Sequence, residues 1–241
     1  MNDKYSMIYT DSPLLYYNLA NKSIKYWISG DTKQNYLQNL QTRYSLMEKN
    51  GWVNKTFTYS INNQGFRSGE FKDNTDIMFL GCSMTFGVGL PEENTWAYLV
   101  AEKMQTSFVN LAIPGGSLKT IFRMLYGWAD KLNPTIVIIL CPPEARTEVM
   151  TSQREFLQYI FHLDLQKFGE YGRHYILDEH NLELDSLLIR LAIERLCNLK
   201  KIKLIYIPFW IDHHVDLARD LSHFGINSNI KMADSVLQNY F

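Results

Sequence analysis

Short apolar runs alternate with amphipathic helical periods from residue 76 to the end of the chain. Four runs have the length and the β-branched and aromatic content of buried strands: DIMFL, SFVNLA, PTIVIIL and KLIYIP. Apolar residues recur at helical spacing near 95–104, 117–132, 184–199 and 230–240. Strands and helices that alternate in this way predict an α/β fold, a three-layer α/β/α sandwich with a doubly wound parallel sheet.

Residues 1–72 follow a different pattern, because they are aromatic but polar and contain no long apolar run. Large and polar residues alternate from Trp52 to Ile61, which predicts a strand or hairpin arm with one covered face. We therefore expect an N-terminal accessory segment, residues 1–72, packed on a main domain of residues 73–241. Within that domain, residues 144–182 are polar and aromatic, and we interpret them as an insertion over one end of the sheet.

Three aromatic residues of the accessory segment, Trp52, Tyr59 and Phe66, have two interpretations. They can pack across the sheet edge or against another subunit, or they can wall a pocket and stack on sugar rings. We favour packing. Arg67, which follows a Gly-Phe turn, is expected to be solvated rather than part of a pocket.

Composition and charge exclude several classes of function. The 241 residues are 46% hydrophobic, which suffices for a full core, and the formal net charge of -1 predicts no nucleic-acid partner. Cys82, Cys141 and Cys197 have no spacing that is typical of a disulfide framework or a zinc site, and we expect no cofactor. The chain has no signal-like start and no apolar stretch near 18 residues, so we expect a cytoplasmic protein without a membrane span.

Candidate chemistry stands where the predicted strands end, which is where open α/β sheets bind ligands. Beyond DIMFL, Ser83 precedes a glycine-rich turn, and beyond SFVNLA the sequence IPGGS contains Gly115. A strand-end serine can expose its hydroxyl oxygen, and nearby backbone N–H groups, with that of Gly115 as a second donor, can receive a developing oxyanion. The alternative interpretation is that Ser83 only forms a tight turn.

The sequence after KLIYIP concentrates histidine and aspartate. Asp220 and His223 are three residues apart, close enough for the carboxylate to orient the imidazole while its other nitrogen faces Ser83. The chain order would then be Ser, Asp, His.

A metal site is the alternative for this cluster, since His and Asp together suit a divalent ion. Asp212, His213 and His214 are adjacent, however, so they cannot all face one point, and no metal template fits their spacing. We predict no metal site, and we expect Asp212, His213 and Asp216 to form a solvated polar loop.

These blocks resemble the SGNH hydrolases, the GDSL-type esterases and lipases. The family's Gly-Asp-Ser block corresponds to FLGCSMTFG, its Asn-x-x-x-x-Gly block to Asn110 through Gly115, and its Asp-x-x-His block to Asp220 and His223. The resemblance covers about residues 76–241 and implies a flavodoxin-like sheet. It also implies a role for each matched residue: Ser83 as nucleophile, His223 as general base, Asp220 orienting the histidine, and the Ser83 and Gly115 N–H groups as oxyanion donors.

Two positions depart from the family. Its third block, Gly-x-Asn-Asp, supplies a further oxyanion donor worth about 3 to 4 kcal/mol, but here CPPEARTE stands in that place. Arg146 is the candidate to replace the donor or to bind a charged substrate group, and the alternative is an ion pair with Glu144 or Glu148. Cys82 stands where the family commonly has Asp, and we expect its thiol in the core rather than as a nucleophile.

The leading hypothesis is a serine esterase that hydrolyses an acyl or acetyl ester, with carbohydrate esters among the candidates. Its partner would be a small-molecule or carbohydrate ester. Two rivals use the same fold: a noncatalytic binding or structural protein, and an acyltransferase with the same triad. The sequence does not separate the transferase from the hydrolase and does not predict the oligomeric state.

Overall fold

A computed structural model describes residues 19–150, 156–160, 179–209 and 213–241. In the N-terminal segment, strand β1 (Ser23–Ile24) pairs antiparallel with β2 (Tyr59–Ser60), and helices α1 (Lys33–Thr42) and α2 (Tyr44–Lys49) lie between them in the chain. The elements that follow are β3 (Ile77–Leu80), α3 (Ser83–Phe86), α4 (Trp96–Met104), β4 (Phe108–Asn110), α5 (Leu118–Leu132), β5 (Ile136–Leu140), β6 (Arg146–Met150), β7 (Phe156–Ile160), α6 (Glu179–Lys200), β8 (Lys203–Ile207) and α7 (Ile226–Tyr240).

The central sheet has four parallel strands in the order β4-β3-β5-β8. Successive residues of a strand point to opposite faces, so Ile77 and Phe79 lie in one apolar cluster and Met78 and Leu80 in the other. Helices α4 and α7 cover the first face, and α5 and α6 cover the second. The predicted α/β/α class with a doubly wound parallel sheet is confirmed.

The strand order places a topological switch point between β3 and β5. The chain leaves β3 towards β4 on one side, then crosses to β5 on the other side of β3. A crevice forms at the carboxyl edge where two such connections diverge, and this is the usual ligand site of open α/β sheets. The residues that follow β3 and β5 are therefore the first to examine for function.

Two predicted helices begin earlier than the apolar pattern indicated. Helix α6 begins at Glu179 and α7 at Ile226, whereas the predicted starts were near 184 and 230. The first turn of α7 is polar, and Asp216 stabilises it from outside the helix by accepting from the N–H groups of Asn227 and Ser228. A cap that comes from ten residues upstream leaves no local sequence signal.

The segment from Trp52 to Ile61 is not the strand or hairpin arm predicted from its alternation. Only Tyr59 and Ser60 form a strand, and they pair with the two residues Ser23 and Ile24. In the predicted insertion, β6 and β7 form an antiparallel hairpin, and residues 151–155 and 161–178 lie outside the described part of the chain. Residues 179–182 belong to α6.

The described part of the N-terminal segment is packed into the core. Tyr59 and Phe66 lie in the cluster that contains Met78 and Leu80, and Trp52 is buried in a smaller cluster. The three aromatic residues that could have stacked on sugars therefore pack inside the protein. None of the described helices is long and apolar enough to cross a membrane.

The expectation that Arg67 is solvated was wrong. Its side chain is buried and donates hydrogen bonds to the carbonyl oxygens of Phe86, Gly87 and Leu90. The guanidinium group lies 4.4 Å from the centre of the Tyr59 ring. The carbonyl groups of Phe86 and Leu90 have no other hydrogen-bond donor in the described structure, which explains why a cation is buried there.

Candidate active site

Ser83 is the first residue of helix α3, three residues beyond Leu80, the last residue of the central strand β3. The turn requires Gly81, because a Cβ atom there would lie 2.3 Å from Thr85 Oγ1. The Ser83 carbonyl accepts from the N–H groups of Gly87 and Val88, which fixes the short helix. Within the described structure, no hydrogen bond engages Ser83 Oγ, so the hydroxyl group is available for chemistry.

A glycine turn lies directly against this strand end. The N–H of Gly116 donates to the carbonyl of Ile113 at 2.8 Å, and Gly115 has a φ of 80°, as the third position of a type II turn requires. The N–H of Ile113 donates to the Gly81 carbonyl at 3.2 Å, which joins the turn to the segment that carries Ser83. In the described parts of the chain, the N–H groups of Ser83 and Gly115 have no hydrogen-bond partner, as oxyanion donors would require.

Asn110, the first residue of the second family block, has a structural role here. Its amide nitrogen donates to the Thr85 carbonyl at 2.8 Å, and its amide oxygen accepts from the N–H of Ala112 at 3.1 Å. The side chain is buried and ties the end of β4 to helix α3. Asn110 therefore holds the glycine turn and the Ser83 helix in a fixed relation.

Asp220 and His223 form a close pair. His223 Nδ1 lies 2.5 Å from Asp220 Oδ2, while Asp220 Oδ1 accepts from the N–H groups of Ser222 and His223, each at 3.1 Å. The Asp220 side chain is 1% exposed and that of His223 is 20% exposed. The carboxylate is thus fixed by three hydrogen bonds within one turn of chain, and the imidazole keeps its Nε2 edge for another partner.

Opposing effects act on the pKa of Asp220. Burial acts to raise the pKa of the carboxyl group, but the hydrogen bond and the positive charge of His223 outweigh it. The pKa of Asp220 is therefore held below its ordinary value, and the carboxylate stays ionised when the histidine accepts a proton.

Backbone packing brings the Asp220 loop next to the segment that follows Ser83. A Cβ atom at Gly89 would lie 2.8 Å from Ala218 Cβ and 3.2 Å from Asp220 Oδ1, and the Gly89 carbonyl accepts from the N–H of Arg219 at 3.1 Å. Ser83 Oγ and the His223 ring form no hydrogen bond in the described structure. Catalytic hydrogen bonds are often long in unliganded enzymes and shorten when substrate binds.

Arg146 lies where the third family block would stand, but it does not form the expected ion pair. Glu148 is held by Arg123, with Nε–Oε1 and Nη2–Oε2 distances of 2.7 and 2.8 Å, and Glu144 offers Arg146 only its backbone carbonyl. Arg146 Nε and Nη1 are buried without a hydrogen-bond partner. The ion-pair alternative was therefore wrong for the described residues.

The surroundings of Arg146 connect it to the glycine turn. A small cavity beside its side chain is also lined by Leu118 and Lys119, the first two residues of α5, which follow that turn directly. Lys119 is itself paired with Asp185 of α6. Arg146 is thus a cation near the second block, with two of its three guanidinium nitrogens unpaired among the described residues.

A groove of about 470 Å³ opens at the carboxyl ends of β5 and β8. Its walls are mainly apolar, from Cys141, Pro142 and Pro143 after β5 and from Pro208 and Phe209 after β8. Arg190 supplies a cation to this groove and lies over the ring of Tyr206, 5.7 Å from its centre. Because a Cβ atom at Gly81 would lie 3.2 Å from the Leu140 carbonyl, the groove begins next to the turn that leads from β3 to Ser83.

The polar loop expected from Asp212, His213 and Asp216 is not solvated in its described part. His213 is buried, and Asp216 is half-buried as the cap of α7, while Asp212 lies outside the described residues. His214 is exposed and packs its ring against Phe224. The described residues contain no group of three or more side chains that could hold a metal ion.

The cysteines do not compete with Ser83 for the nucleophilic role. Cys82 is buried in the core, as expected from its place before Ser83. Burial raises the pKa of the Cys141 thiol and raises the pKa of Cys197 to about 11. Thiols with raised pKa values are poorly ionised and unreactive near neutral pH.

A buried ion pair beside the Asp220 loop was missed in the sequence. The guanidinium of Arg219 donates to Asp31 through Nε and Nη2, at 2.9 and 2.6 Å, and Tyr59 donates to the same carboxylate at 2.5 Å. Arg219 is 2% exposed and Asp31 is 1% exposed. The position of Arg219 directly before Asp220 was the one available signal, and nothing local marked Asp31 as its partner.

Comparisons with known proteins give a likeness of fold. A scan of protein-family models and a search of curated proteins find no match to this sequence. Among solved structures, the chain is similar to a psychrotrophic esterase from Pseudoalteromonas sp., with 16% identity over 68% of this chain and 98% of the esterase and a TM-score of 0.36.

Two further structures are similar to the same extent. A putative lipolytic protein of the G-D-S-L family from Desulfitobacterium hafniense has 15% identity over 68% of this chain and 99% of its own, with a TM-score of 0.38. A family 3 carbohydrate esterase from Clostridium thermocellum has 14% identity over 69% of this chain and 94% of its own, also with a TM-score of 0.38. At these identities we draw nothing about activity from them. The likeness to these three structures is one of fold alone.

Proposed function

We propose that this protein is a serine esterase that hydrolyses an acyl or acetyl ester, with Ser83 as nucleophile, His223 as general base and Asp220 as the residue that orients the histidine. The observation that carries this proposal is the Asp220–His223 pair. A buried carboxylate on Nδ1 sets the tautomer of the ring, which leaves Nε2 as the base, and the pair packs against the segment that follows Ser83.

The first half of the reaction forms an acyl-enzyme. His223 Nε2 takes the proton from Ser83 Oγ as that oxygen attacks the ester carbonyl carbon. The resulting imidazolium donates the same proton to the leaving alcohol as the carbon–oxygen bond of the ester breaks. Asp220, held ionised by His223, stabilises the imidazolium during this step.

The second half of the reaction releases the acid. His223 takes a proton from a water molecule that attacks the acyl-enzyme, and then returns a proton to Ser83 Oγ as the acyl group leaves. If an alcohol takes the place of water, the same residues transfer the acyl group. Transfer and hydrolysis therefore differ in the acceptor and not in the triad.

The oxyanion would be stabilised by the N–H groups of Ser83 and Gly115, which have no other partner in the described structure. Arg146 would supply the donor that the missing third block does not, or would bind an anionic group of the substrate. Two observations support this role. Arg146 Nε and Nη1 are buried and unpaired among the described residues, and the cavity beside Arg146 is also lined by the first residues of α5. The proline-lined groove beyond β5 and β8 would hold the remainder of the ester, including a carbohydrate part where the substrate has one.

Turnover of a small chromogenic acetyl ester by wild type, Ser83→Ala and Ser235→Ala tests the proposal. Ser235 lies on α7 outside the site and serves as the matched control. We expect Ser83→Ala to reduce kcat by at least about a thousandfold with an unchanged melting temperature, because the nucleophile is lost and the fold is kept. Retained turnover in Ser83→Ala would contradict the assignment, and a folded wild type without turnover on any acyl ester would favour the noncatalytic alternative.

A further inference from the structure

A network of buried polar groups joins the N-terminal segment to the loop that carries Asp220. Arg219 donates to both oxygens of Asp31 and to the Lys25 carbonyl, and Tyr59 donates to Asp31. The Tyr59 oxygen also accepts from the N–H of Gly89 at 2.7 Å. The Asp31 carboxylate therefore joins its own stretch of chain to the stretches that carry Tyr59 and Arg219, and Tyr59 extends the network to Gly89.

Each end of this network is next to a residue of the proposed triad. Arg219 immediately precedes Asp220 in the chain, and Gly30 immediately precedes Asp31. A Cβ atom at Gly30 would lie 3.3 Å from Asp220 Oδ2 and 3.8 Å from His223 Cε1. The backbone beside Asp31 thus packs directly against the Asp220–His223 pair. A side chain at Gly30 would crowd this pair and would also be strained, because φ there is 81°.

The third connection leads to the segment that follows Ser83. Gly89 donates its N–H to the Tyr59 oxygen, and its carbonyl accepts from the Arg219 N–H while its backbone packs against Asp220. The side chain of Asn39 donates to the Asp220 carbonyl at 3.3 Å, which adds a contact from α1. The loop of Asp220 is therefore held on one side by the N-terminal segment and on another by the segment that follows Ser83.

Stability does not explain why an ion pair occupies this position. Burying two charges costs several kcal/mol, and apolar residues of similar volume often replace a buried pair without loss of stability. The aromatic rings of Phe57 and Tyr26 already cover the Arg219 guanidinium, at 3.9 and 4.9 Å from their centres, so the site is apolar enough for such a replacement. A hydrogen-bonded ion pair, in contrast, has a defined geometry, so it fixes the orientation of the backbone at both Asp31 and Arg219.

We propose that the Asp31–Arg219 ion pair, with Tyr59, is a positioning device that holds the Asp220–His223 pair against the Ser83 segment. Asp31, Arg219 and Tyr59 are positioning residues, because they act through Asp220 and do not touch the reacting atoms. The proposal rests on the proposed function for its catalytic consequence, but its effect on His223 can be measured without substrate.

The charge of Asp31 makes the effect on His223 specific. The charged or titratable groups that face the Asp220–His223 pair from the packed elements are Arg219, Asp31 and Tyr59, with Arg67 behind the Tyr59 ring. Replacing Asp31 with Asn removes an anion and leaves Arg219 unbalanced beside Asp220. Both this charge change and any loosening of the Asp220–His223 bond disfavour the imidazolium, so His223 should be a weaker general base in this variant.

The test compares wild type, Asp31→Asn, Tyr59→Phe and Asp234→Asn. The imidazole signals of His223 are followed by NMR, and the rate of covalent labelling by a fluorophosphonate is measured from about pH 5 to 9. Tyr59→Phe keeps the buried ring and removes the hydroxyl that joins Asp31 to Gly89, which gives a second test if Asp31→Asn does not fold. Asp234→Asn breaks an exposed ion pair with Lys103 and is the control for loss of a carboxylate.

We expect Asp31→Asn to shift the imidazole signals of His223 and to reduce the labelling rate at least about tenfold. Tyr59→Phe should change both quantities by less, and Asp234→Asn should change neither. A folded Asp31→Asn or Tyr59→Phe with wild-type His223 signals and a labelling rate within about twofold of wild type would overturn the proposal. A wild type that is not labelled at Ser83, but whose His223 signals respond to Asp31→Asn, would reject the esterase and retain the positioning role.

Discussion

At the scale of single residues, the site depends on one carboxylate that is buried, ionised and fully hydrogen-bonded. Asp220 accepts from His223 Nδ1 and from the N–H groups of Ser222 and His223. The partners of the carboxylate favour its charged form, which is why its pKa lies below the ordinary value in spite of burial. The contacts that orient His223 therefore also make the stability of the Asp220 loop depend on pH.

The depressed pKa of Asp220 predicts a pH-dependent contribution to stability. Above the ordinary Asp pKa of about 3.9 the full contribution is present, and it is lost as the pH falls through the lower pKa of the folded state. We expect Asp220→Asn to be less stable than wild type at pH 6, and the gap in free energy of unfolding to shrink towards pH 3. Urea denaturation at both pH values measures it, and a gap of constant size would show that the charge of Asp220 makes no contribution.

At the scale of elements, a residue outside a helix can supply the capping group that the residues at the start of the helix do not provide. Helix α7 begins at a glycine that has no capping side chain, and Asp216 provides the cap from the preceding loop. Asp216 Oδ1 also accepts from the Ser228 hydroxyl. The helix start and the loop that leads to Asp220 are therefore fastened to each other.

Removal of this cap should destabilise the protein by about 1 kcal/mol. We expect that loss for Asp216→Ala in urea denaturation, and a smaller loss for Asp216→Asn, whose amide oxygen can still accept one N–H. The expected order of stability is wild type, Asp216→Asn, Asp216→Ala. Equal stability of all three proteins would mean that water satisfies the first turn of α7 without Asp216.

At the scale of the whole molecule, the N-terminal segment is part of the core and of the proposed site. It contributes buried aromatic rings to the cluster beneath the sheet, Arg67 to the end of α3 and Asp31 to the Asp220 loop. An apolar core shared in this way is lost if either part is removed. We therefore propose that residues 73–241, expressed without the segment, do not fold to a soluble protein.

Arg67 offers a sharper test of this dependence than truncation. Arg67→Met should lower the free energy of unfolding by at least about 3 kcal/mol, because three buried carbonyl groups lose their donor. Arg43→Met, at an exposed position between α1 and α2, is the matched control and should change it by less than about 0.5 kcal/mol. Similar small effects of both substitutions would show that solvent replaces the donor at Phe86, Gly87 and Leu90.

The sequence predicted those parts of the molecule that depend on local patterns. Four strands, the helices between them and the juxtaposition of Asp220 with His223 follow from apolar runs and from a spacing of three residues. The pattern did not show that Arg67 is buried, that Asp31 pairs with Arg219 across 188 positions, or that Asp216 caps α7. Such contacts depend on which loops meet after folding, and polar residues in loops carry no periodicity that reports it.

Covalent labelling of Ser83 by a fluorophosphonate tests the central claim most directly. The probe is applied to wild type and to His223→Ala, with intact mass to count adducts and peptide mapping to place them. The account predicts one adduct on wild type, on Ser83, and a labelling rate at least about a hundredfold lower in His223→Ala, because the general base is lost. A folded wild type without an adduct on Ser83, or labelling that proceeds equally without His223, would contradict it.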